Sequence, residues 1–191
     1  KHECTVYCST WFNNILDYPE INFIVPGDAV ENIYGTYDLG CFDGQLTKNV
    51  NDWRLTPLQK VAADILGLDY EPIRAKLKFT PIVHKGNGKP PKPYVCFSEF
   101  STMQGKFWNR PGAWQNVIDY LNAMGYDCMS VSAEPTNMKN VIVHNGQGIE
   151  QTVADVAGAE FYIGLNAGVT WVAYSLGIPA VMITGVSEDW N

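Results

Sequence analysis

The chain has 191 residues, of which 46% are hydrophobic and 17% charged, and its formal net charge is −7. This composition is typical of a folded globular protein and argues against a disordered chain. It also argues against a nucleic-acid-binding protein, because phosphate contacts require a basic surface. The sequence contains no apolar run of about 18 residues, so it predicts no membrane-spanning helix.

The cysteines are odd in number, and their spacing fits no common zinc-binding pattern. They are Cys4, Cys8, Cys41, Cys96 and Cys128. Cys96 and Cys128 lie in apolar, strand-like runs, where free thiols behave as small hydrophobic residues. A pair of metal ligands at Cys4 and Cys8 is the weaker alternative, since no second pair accompanies them. Free thiols indicate a reducing compartment, and we therefore expect a cytoplasmic protein without a metal site.

The first half of the chain predicts few regular elements. Strands are predicted over residues 5–8 and 21–25, the second stopped by Pro26 and Gly27. Asp28 predicts the start of a short helix that reaches Tyr34. A third strand is predicted over residues 37–42.

A clearer helix follows in this half. Thr56 is the predicted N-cap, Pro57 occupies the first helical position, and Gly67 ends the helix. Its apolar residues recur at helical spacing, which predicts one buried face.

Residues 85–93 contain two glycines and three prolines, a composition typical of a linker. We therefore predict a domain boundary here, with one domain over residues 1–84 and a second over residues 94–191. In the latter, strands alternate with helices. The predicted strands are 94–97, 128–131, 161–165 and 180–183, and the predicted helices are 111–124, 151–158 and 169–176. Such alternation predicts an α/β fold with a doubly wound parallel sheet, whose ligands bind at the carboxyl ends of the strands.

Two loops at these carboxyl ends carry candidate phosphate ligands. The first holds Ser101, Thr102 and Lys106, two hydroxyls and a compact positive charge. The alternative is that the hydroxyls form turns and the lysine is a solvated surface charge. The second loop runs through Asn166 to Gly168 and Val169, where small residues lead into a helix whose first amides favour a pyrophosphate. Its alternative is a tight turn that only permits close packing.

Glu150 lies in the third loop to consider, beside His144. Its carboxylate is suited to accept hydrogen bonds from ribose hydroxyls, although an acidic residue is also favourable in the first turn of any helix. No second histidine and no cysteine or aspartate cluster lies near His144 in sequence, so a metal role for it is not expected.

Two long motifs resemble bacterial autotransporter heptosyltransferases. Residues 100–114, FSTMQGKFWNRPGAW, resemble their S-T-x-x-x-K-x-W-N-x-P-x-G-W stretch. Residues 161–185 are similar to their F-F-I-G-L-x-S-G-L-S-W-L-A-W-A-x-G-x-P-V-V-x-I-S-G stretch. Shorter similarities extend to residue 2, so the resemblance covers nearly the whole chain. The wider relatives are the lipopolysaccharide heptosyltransferases of glycosyltransferase family 9. Their GT-B fold has two Rossmann-like domains.

The resemblance implies a set of donor-binding residues. They are Ser101, Thr102, Lys106, Glu150, Asn166, Gly168, Val169 and Met182. By this resemblance, the hydroxyls of Ser101 and Thr102, the Lys106 ammonium and the first amides of the helix at Gly168 hold the diphosphate. Glu150 lies near the ribose, and Met182 lies near the adenine. Asn166 stands where the lipopolysaccharide enzymes carry an acidic residue, and Trp171 where they carry a histidine, which puts the identity of the donor sugar in question.

The resemblance also implies what surrounds this chain. The family's glycine-rich first loop, with its proposed catalytic aspartate, would precede Lys1, and its iron-binding cysteine cluster would follow Asn191. We therefore expect the middle of a longer protein, with an incomplete N-terminal domain. Nothing in the spacing selects a catalytic base among Asp17, Asp38 and Asp43.

The implied activity is inverting transfer of a sugar, with ADP-heptose as donor, to a protein or glycan hydroxyl, without a metal or another cofactor at the transfer step. A homo-oligomer is left open. Two alternatives stand beside it: a transferase that uses another nucleotide sugar, and a degenerate module that binds nucleotide without catalysis.

Overall fold

The computed structural model describes residues 3–39, 57–80 and 92–184. It divides into two compact units, one formed by residues 1–26 and 74–186 and the other by residues 27–73 and 187–191. The predicted linker falls mostly on residues 81–91, outside the described residues, and the boundary there stays a prediction. Within the described ranges, no helix is long and apolar enough to cross a membrane.

The larger unit begins with a two-stranded parallel sheet. Its strands are β1 (Tyr7–Ser9) and β2 (Asn22–Ile24), paired with Tyr7 opposite Asn22. Both lie within or next to the predicted strands. Between them, the backbone around Ile15 pairs with the segment around Leu77 through the hydrogen bonds Lys78 N to Ile15 O and Asp17 N to Lys76 O. Ile15 is thereby held in the main core.

The smaller unit contains α1 (Leu58–Leu66), which buries Val61 and ends at Gly67 in the left-handed conformation, as predicted. Pro57 precedes the helix in an extended conformation instead of opening its first turn, and Thr56 lies outside the described residues. The helix predicted over residues 28–34 is wrong. That segment is irregular, and Asn32 adopts a positive φ of 55° that a right-handed helix does not allow. Residues 37–39 form no strand, and residues 40–42 lie outside the described residues.

The main sheet has five parallel strands in the order β5-β4-β3-β6-β7. Its strands are β3 (Tyr94–Ser98), β4 (Asp127–Ser130), β5 (Ile142–Val143), β6 (Phe161–Leu165) and β7 (Ala180–Ile183). Its helices are α2 (Ala113–Ala123), α3 (Ile149–Ala157) and α4 (Gly168–Leu176). The predicted α/β fold is confirmed for these residues, and β5, with two residues, is an addition to it.

Helices cover both faces of this sheet. Alternate residues of β3 point to opposite faces, so that Phe97 packs in the cluster with Trp114 of α2, whereas Cys96 packs in the cluster with Val153 of α3. Each large apolar side chain removed from water contributes about 1.5–3 kcal/mol. The sheet order reverses between β3 and β6, because the chain builds outward from β3 to β5 and then returns to the other side. That reversal opens a crevice at their carboxyl ends.

Close packing within β6 gives a first prediction. A β-carbon added at Gly164 would overlap the hydroxyl of Tyr162, whose ring is fully buried. We expect Gly164→Ala to lower the free energy of unfolding by about 1–2 kcal/mol through overpacking. Gly168→Ala is the matched control, because a β-carbon there meets no atom within 4 Å. Urea unfolding of both variants checks this, and equal stability of the two would contradict it.

Candidate functional site

The loops that follow β3 and β6 are joined by one contact. Lys106 lies in a single 3₁₀ turn, Gln104–Lys106, and its Nζ donates a hydrogen bond to the main-chain oxygen of Asn166 at 3.0 Å. Lys106 is partly buried and Asn166 is 8% exposed. The contact holds a positive charge at the crevice between the two strands, where anionic ligands of such sheets bind. Lys106 is therefore not a freely solvated surface charge.

Helix α4 begins at the same place. Its N-cap is Ala167, in an extended conformation, and no side chain caps the helix. The N–H of Thr170 bonds to the carbonyl of Ala167 at 3.0 Å, but the first amides of a helix, here those of Gly168 and Val169, have no partner within it. These amides and the helix dipole favour an anion.

Ser101 and Thr102 lie in the loop that Lys106 closes. Ser101 is partly buried, and its Oγ accepts a long hydrogen bond of 3.5 Å from the N–H of Met103. Thr102 is exposed. The Ser101 hydroxyl therefore makes a contact that is typical of a turn. Both hydroxyl groups belong to the loop that borders the crevice.

The remaining two predicted donor residues line different cavities. Glu150, exposed in the first turn of α3, borders a cavity of about 450 Å³ together with Lys78 and Gln151. Met182 borders a groove of about 310 Å³ beside α4, together with Trp171 and Arg74. The other six predicted residues lie in the two loops that the Lys106 contact joins, and the donor-binding roles of all eight stay predictions.

A buried carboxylate that the sequence did not predict lies beneath the loop between β5 and α3. Asp155 has no exposed side-chain area, and its two oxygens accept hydrogen bonds from Nδ1 of His144 at 2.9 Å and Nε2 of Gln151 at 2.8 Å. The His144 side chain is 28% exposed. Because a carboxylate only accepts, the imidazole carries a proton on Nδ1. The available signal was an aspartate on the apolar stripe of α3, between Val153 and Val156.

A second buried carboxyl group, that of Glu99, directly follows β3. Glu99 is 7% exposed, and burial raises the pKa of its carboxyl group above the usual 4.5, an effect that a hydrogen bond with Thr136 partly offsets. Beside it, the hydroxyl groups of Ser98 and Ser132 are hydrogen-bonded at 3.0 Å. The carboxyl edge of the sheet is therefore lined by buried polar groups, as expected of a binding site and not of a plain core.

The raised pKa of Glu99 gives a pH-dependent prediction. The folded protein holds this proton more tightly than the unfolded chain, so its contribution to stability is lost as the pH rises from about 4.5 through the folded-state pKa. Glu99→Gln cannot titrate. We expect the stability of the variant relative to the natural protein to grow between about pH 4.5 and neutral pH, as measured by urea unfolding. A pH-independent difference would show that the Glu99 pKa is not raised.

Comparison with known proteins shows which enzymes this chain resembles. No family model matches the chain. Autotransporter heptosyltransferase TibC of Escherichia coli is 30% identical over 97% of this chain and 48% of the relative. BAHTCr of Citrobacter rodentium is 30% identical over 97% of this chain and 48% of the relative. Aah of Escherichia coli is 31% identical over 98% of this chain and 51% of the relative. The chain is a homologue of the autotransporter heptosyltransferases. It spans about half the length of these relatives.

Solved structures of an autotransporter heptosyltransferase agree with this. A TibC crystal structure, described as an iron-containing dodecameric glycosyltransferase, superposes with a TM-score of 0.83 at 28% identity, over 96% of this chain and 51% of that one. The TibC structure in complex with an ADP-heptose also superposes with a TM-score of 0.83, at 27% identity, over 100% of this chain and 54% of that one. The Escherichia coli lipopolysaccharide heptosyltransferase II gives 0.56 at 16% identity over 74% of this chain and 52% of that one, and shows the fold alone.

The iron of the TibC heptosyltransferase has no counterpart among the described residues. In the ranges 3–39, 57–80 and 92–184, no three histidine, cysteine or acidic residues group so that they could hold a metal ion. These residues do not fit an iron site, and we assign them no metal chemistry.

The described residues single out none of the three candidate aspartates as a base. Asp17 lies in the larger unit, where its N–H bonds to the carbonyl of Lys76 at 2.9 Å. Asp38 lies in the smaller unit, and Asp43 lies outside the described residues. Among the described residues, no contact of Asp17 or Asp38 distinguishes either one as a base.

Proposed function

We propose that this chain carries the donor-binding site of a heptosyltransferase, which transfers a sugar with inversion from a nucleotide sugar to an acceptor hydroxyl. The proposed donor is ADP-heptose, because TibC has been crystallised with an ADP-heptose and resembles nearly the whole chain. The observation that carries the proposal is the bond from Lys106 to Asn166, which places a cation beside the open amides of α4.

In the proposed reaction, a base deprotonates the acceptor hydroxyl, whose oxygen attacks the anomeric carbon. The bond from that carbon to the diphosphate oxygen breaks, and its electron pair leaves with the nucleoside diphosphate. Negative charge therefore grows on the diphosphate. The Lys106 ammonium, the Ser101 and Thr102 hydroxyls and the first amides of α4 are fixed groups that stabilise this charge most in the transition state.

Mass spectrometry of a transfer reaction tests this proposal. The chain is incubated with ADP-heptose and an autotransporter protein as acceptor, and both ADP release and the mass of the acceptor are followed. The proposal predicts release of ADP together with acceptor that has gained one heptose residue. ADP release without modified acceptor would indicate hydrolysis of the donor. The absence of both products would contradict transfer by this chain.

A specific observation supports a non-catalytic alternative. A relative named inactive autotransporter heptosyltransferase BimC, from Burkholderia thailandensis, is 26% identical over 98% of this chain and 47% of the relative. The alternative predicts ADP binding without transfer. A different donor, such as a UDP- or GDP-sugar, is the other alternative, and transfer from such a sugar in the same assay would favour it.

The partners and location of the protein are also proposals. We propose a nucleotide-sugar donor, a protein or glycan acceptor and no nucleic acid, in keeping with the net charge of −7. A homo-oligomer is proposed because TibC is dodecameric. The cytoplasm is the proposed location, because Cys4, Cys8, Cys96 and Cys128 are all free in the described residues.

A further inference from the structure

Two buried oxygen atoms at the carboxyl edge of the sheet take no part in the proposed diphosphate site. They are Oε1 of Glu99 and Oδ1 of Asn145, and neither has a hydrogen-bond partner within the described part of the protein. Buried polar atoms are almost always hydrogen-bonded, and a carboxyl oxygen is among the costliest to leave unsatisfied. Each atom therefore calls for a hydrogen-bond donor that is not part of the protein, either a water molecule or a ligand.

Both atoms border one loop, residues 131–141, which follows β4. Strand β4 lies between β3 and β5. Glu99 follows β3, and its carboxyl group reaches Thr136 in this loop. Asn145 follows β5, and its Nδ2 donates to Oγ of Ser130 at 3.0 Å and to the carbonyl of Glu134 at 2.5 Å. The two side chains thus approach the same loop from its two sides.

The orientation of both groups is fixed by the protein. Oγ1 of Thr136 accepts a hydrogen bond from the N–H of Met138 at 3.1 Å, which leaves the hydroxyl proton of Thr136 to be donated to Glu99. The two bonds from Nδ2 of Asn145 likewise fix its amide group, so that Oδ1 faces away from them. Groups held in this way lose little freedom when a ligand binds.

Unsatisfied acceptors require a ligand that donates hydrogen bonds. A diphosphate supplies no donors at neutral pH, so it does not satisfy them, whereas the hydroxyl groups of a sugar ring do. We infer that Glu99 and Asn145 form a hydroxyl-binding subsite for a ring of the nucleotide sugar, either its ribose or the transferred sugar. This inference rests on the proposed function, since the Lys106 crevice at the same edge of the sheet would hold the diphosphate of that ligand.

The subsite has a signature that a structural role would not produce. A buried carboxyl group with an unsatisfied oxygen destabilises the ligand-free protein. Glu99→Gln keeps the shape and removes the charge, so we expect the ligand-free variant to be at least as stable as the natural protein. A purely structural Glu99 predicts the opposite, a loss of stability.

Calorimetric titration tests the subsite with ADP, 2′-deoxy-ADP and ADP-heptose as ligands. The variants are Glu99→Ala and Asn145→Ala. The control is Glu160→Ala, which removes an exposed carboxylate at the amino end of β6. We expect each subsite variant to bind ADP-heptose about tenfold more weakly, the scale of one hydrogen bond lost at a buried site, and the control to bind it normally.

The smaller ligands distinguish the two rings. A matching loss for ADP that disappears for 2′-deoxy-ADP would assign the subsite to the ribose, and unchanged ADP affinity would assign it to the transferred sugar. Normal ADP-heptose affinity in both subsite variants would overturn the inference and leave the donor site standing. Failure of the natural protein to bind any of the three ligands would overturn the donor site and the subsite together.

Discussion

Asp155→Ala is expected to lower the free energy of unfolding by about 2–4 kcal/mol. The substitution removes the acceptor of both the His144 imidazole and the Gln151 amide from a site without solvent access. It removes this acceptor from both donors and opens a small cavity. The main-chain oxygen of Asp155, which accepts from the Tyr94 hydroxyl, is kept.

Asp119→Ala is the matched control for this variant. Asp119 accepts a hydrogen bond of 2.8 Å from Gln115 four residues earlier, the same arrangement as Gln151 with Asp155, but on the exposed surface of α2. Exposed pairs of this kind contribute about 0.2–0.5 kcal/mol. Urea unfolding of both variants should therefore separate them by at least about 1.5 kcal/mol, and similar losses would show that the buried network is not an important contribution to stability.

Lys106→Ala is expected to weaken ADP binding by about 1–3 kcal/mol, or about five- to 150-fold in Kd. The variant loses the cation that is held at the carbonyl of Asn166, next to the open amides of α4. Because the diphosphate is the charged part of the ligand, the loss should be far smaller for adenosine than for ADP.

Lys92→Ala provides the comparison for Lys106→Ala. Lys92 precedes the amino end of β3, and its 3.8 Å pair with Asp127 is exposed, so we expect ADP affinity and stability to change little. Calorimetric titration of both variants measures the difference. Equal ADP affinity of Lys106→Ala and the natural protein would place the diphosphate elsewhere.

The strands and helices of the main sheet were predictable because their periodicity is strong. β6 and β7 have the predicted bounds, α2 is two residues shorter at its start and one shorter at its end, and α4 begins one residue earlier than predicted. The two-residue strand β5 was missed because it is too short for a pattern, and its pairing with β4 depends on tertiary contacts. The predicted helix over residues 28–34 failed since Asp28 has the preferences of a turn residue as much as those of a cap.

The candidate site was predictable only in part. Sequence motifs pointed to Lys106 and the start of α4, because loops after parallel strands must meet at one edge. The burial of Glu99 and Asp155, and of the amide oxygen of Asn145, was not foreseen. Each is a polar residue of ordinary surface type, and only packing against neighbouring loops decides that these groups are withdrawn from water.

Titration of the chain with ADP, UDP and GDP decides whether it carries an ADP-sugar site. We expect saturable binding of ADP, tighter than that of UDP and GDP, because the crevice with Lys106 and α4 is proposed to hold an ADP-sugar. Preference for UDP or GDP would contradict the proposed donor but keep a nucleotide site. Absence of binding for all three would contradict the assignment of a donor site to this chain.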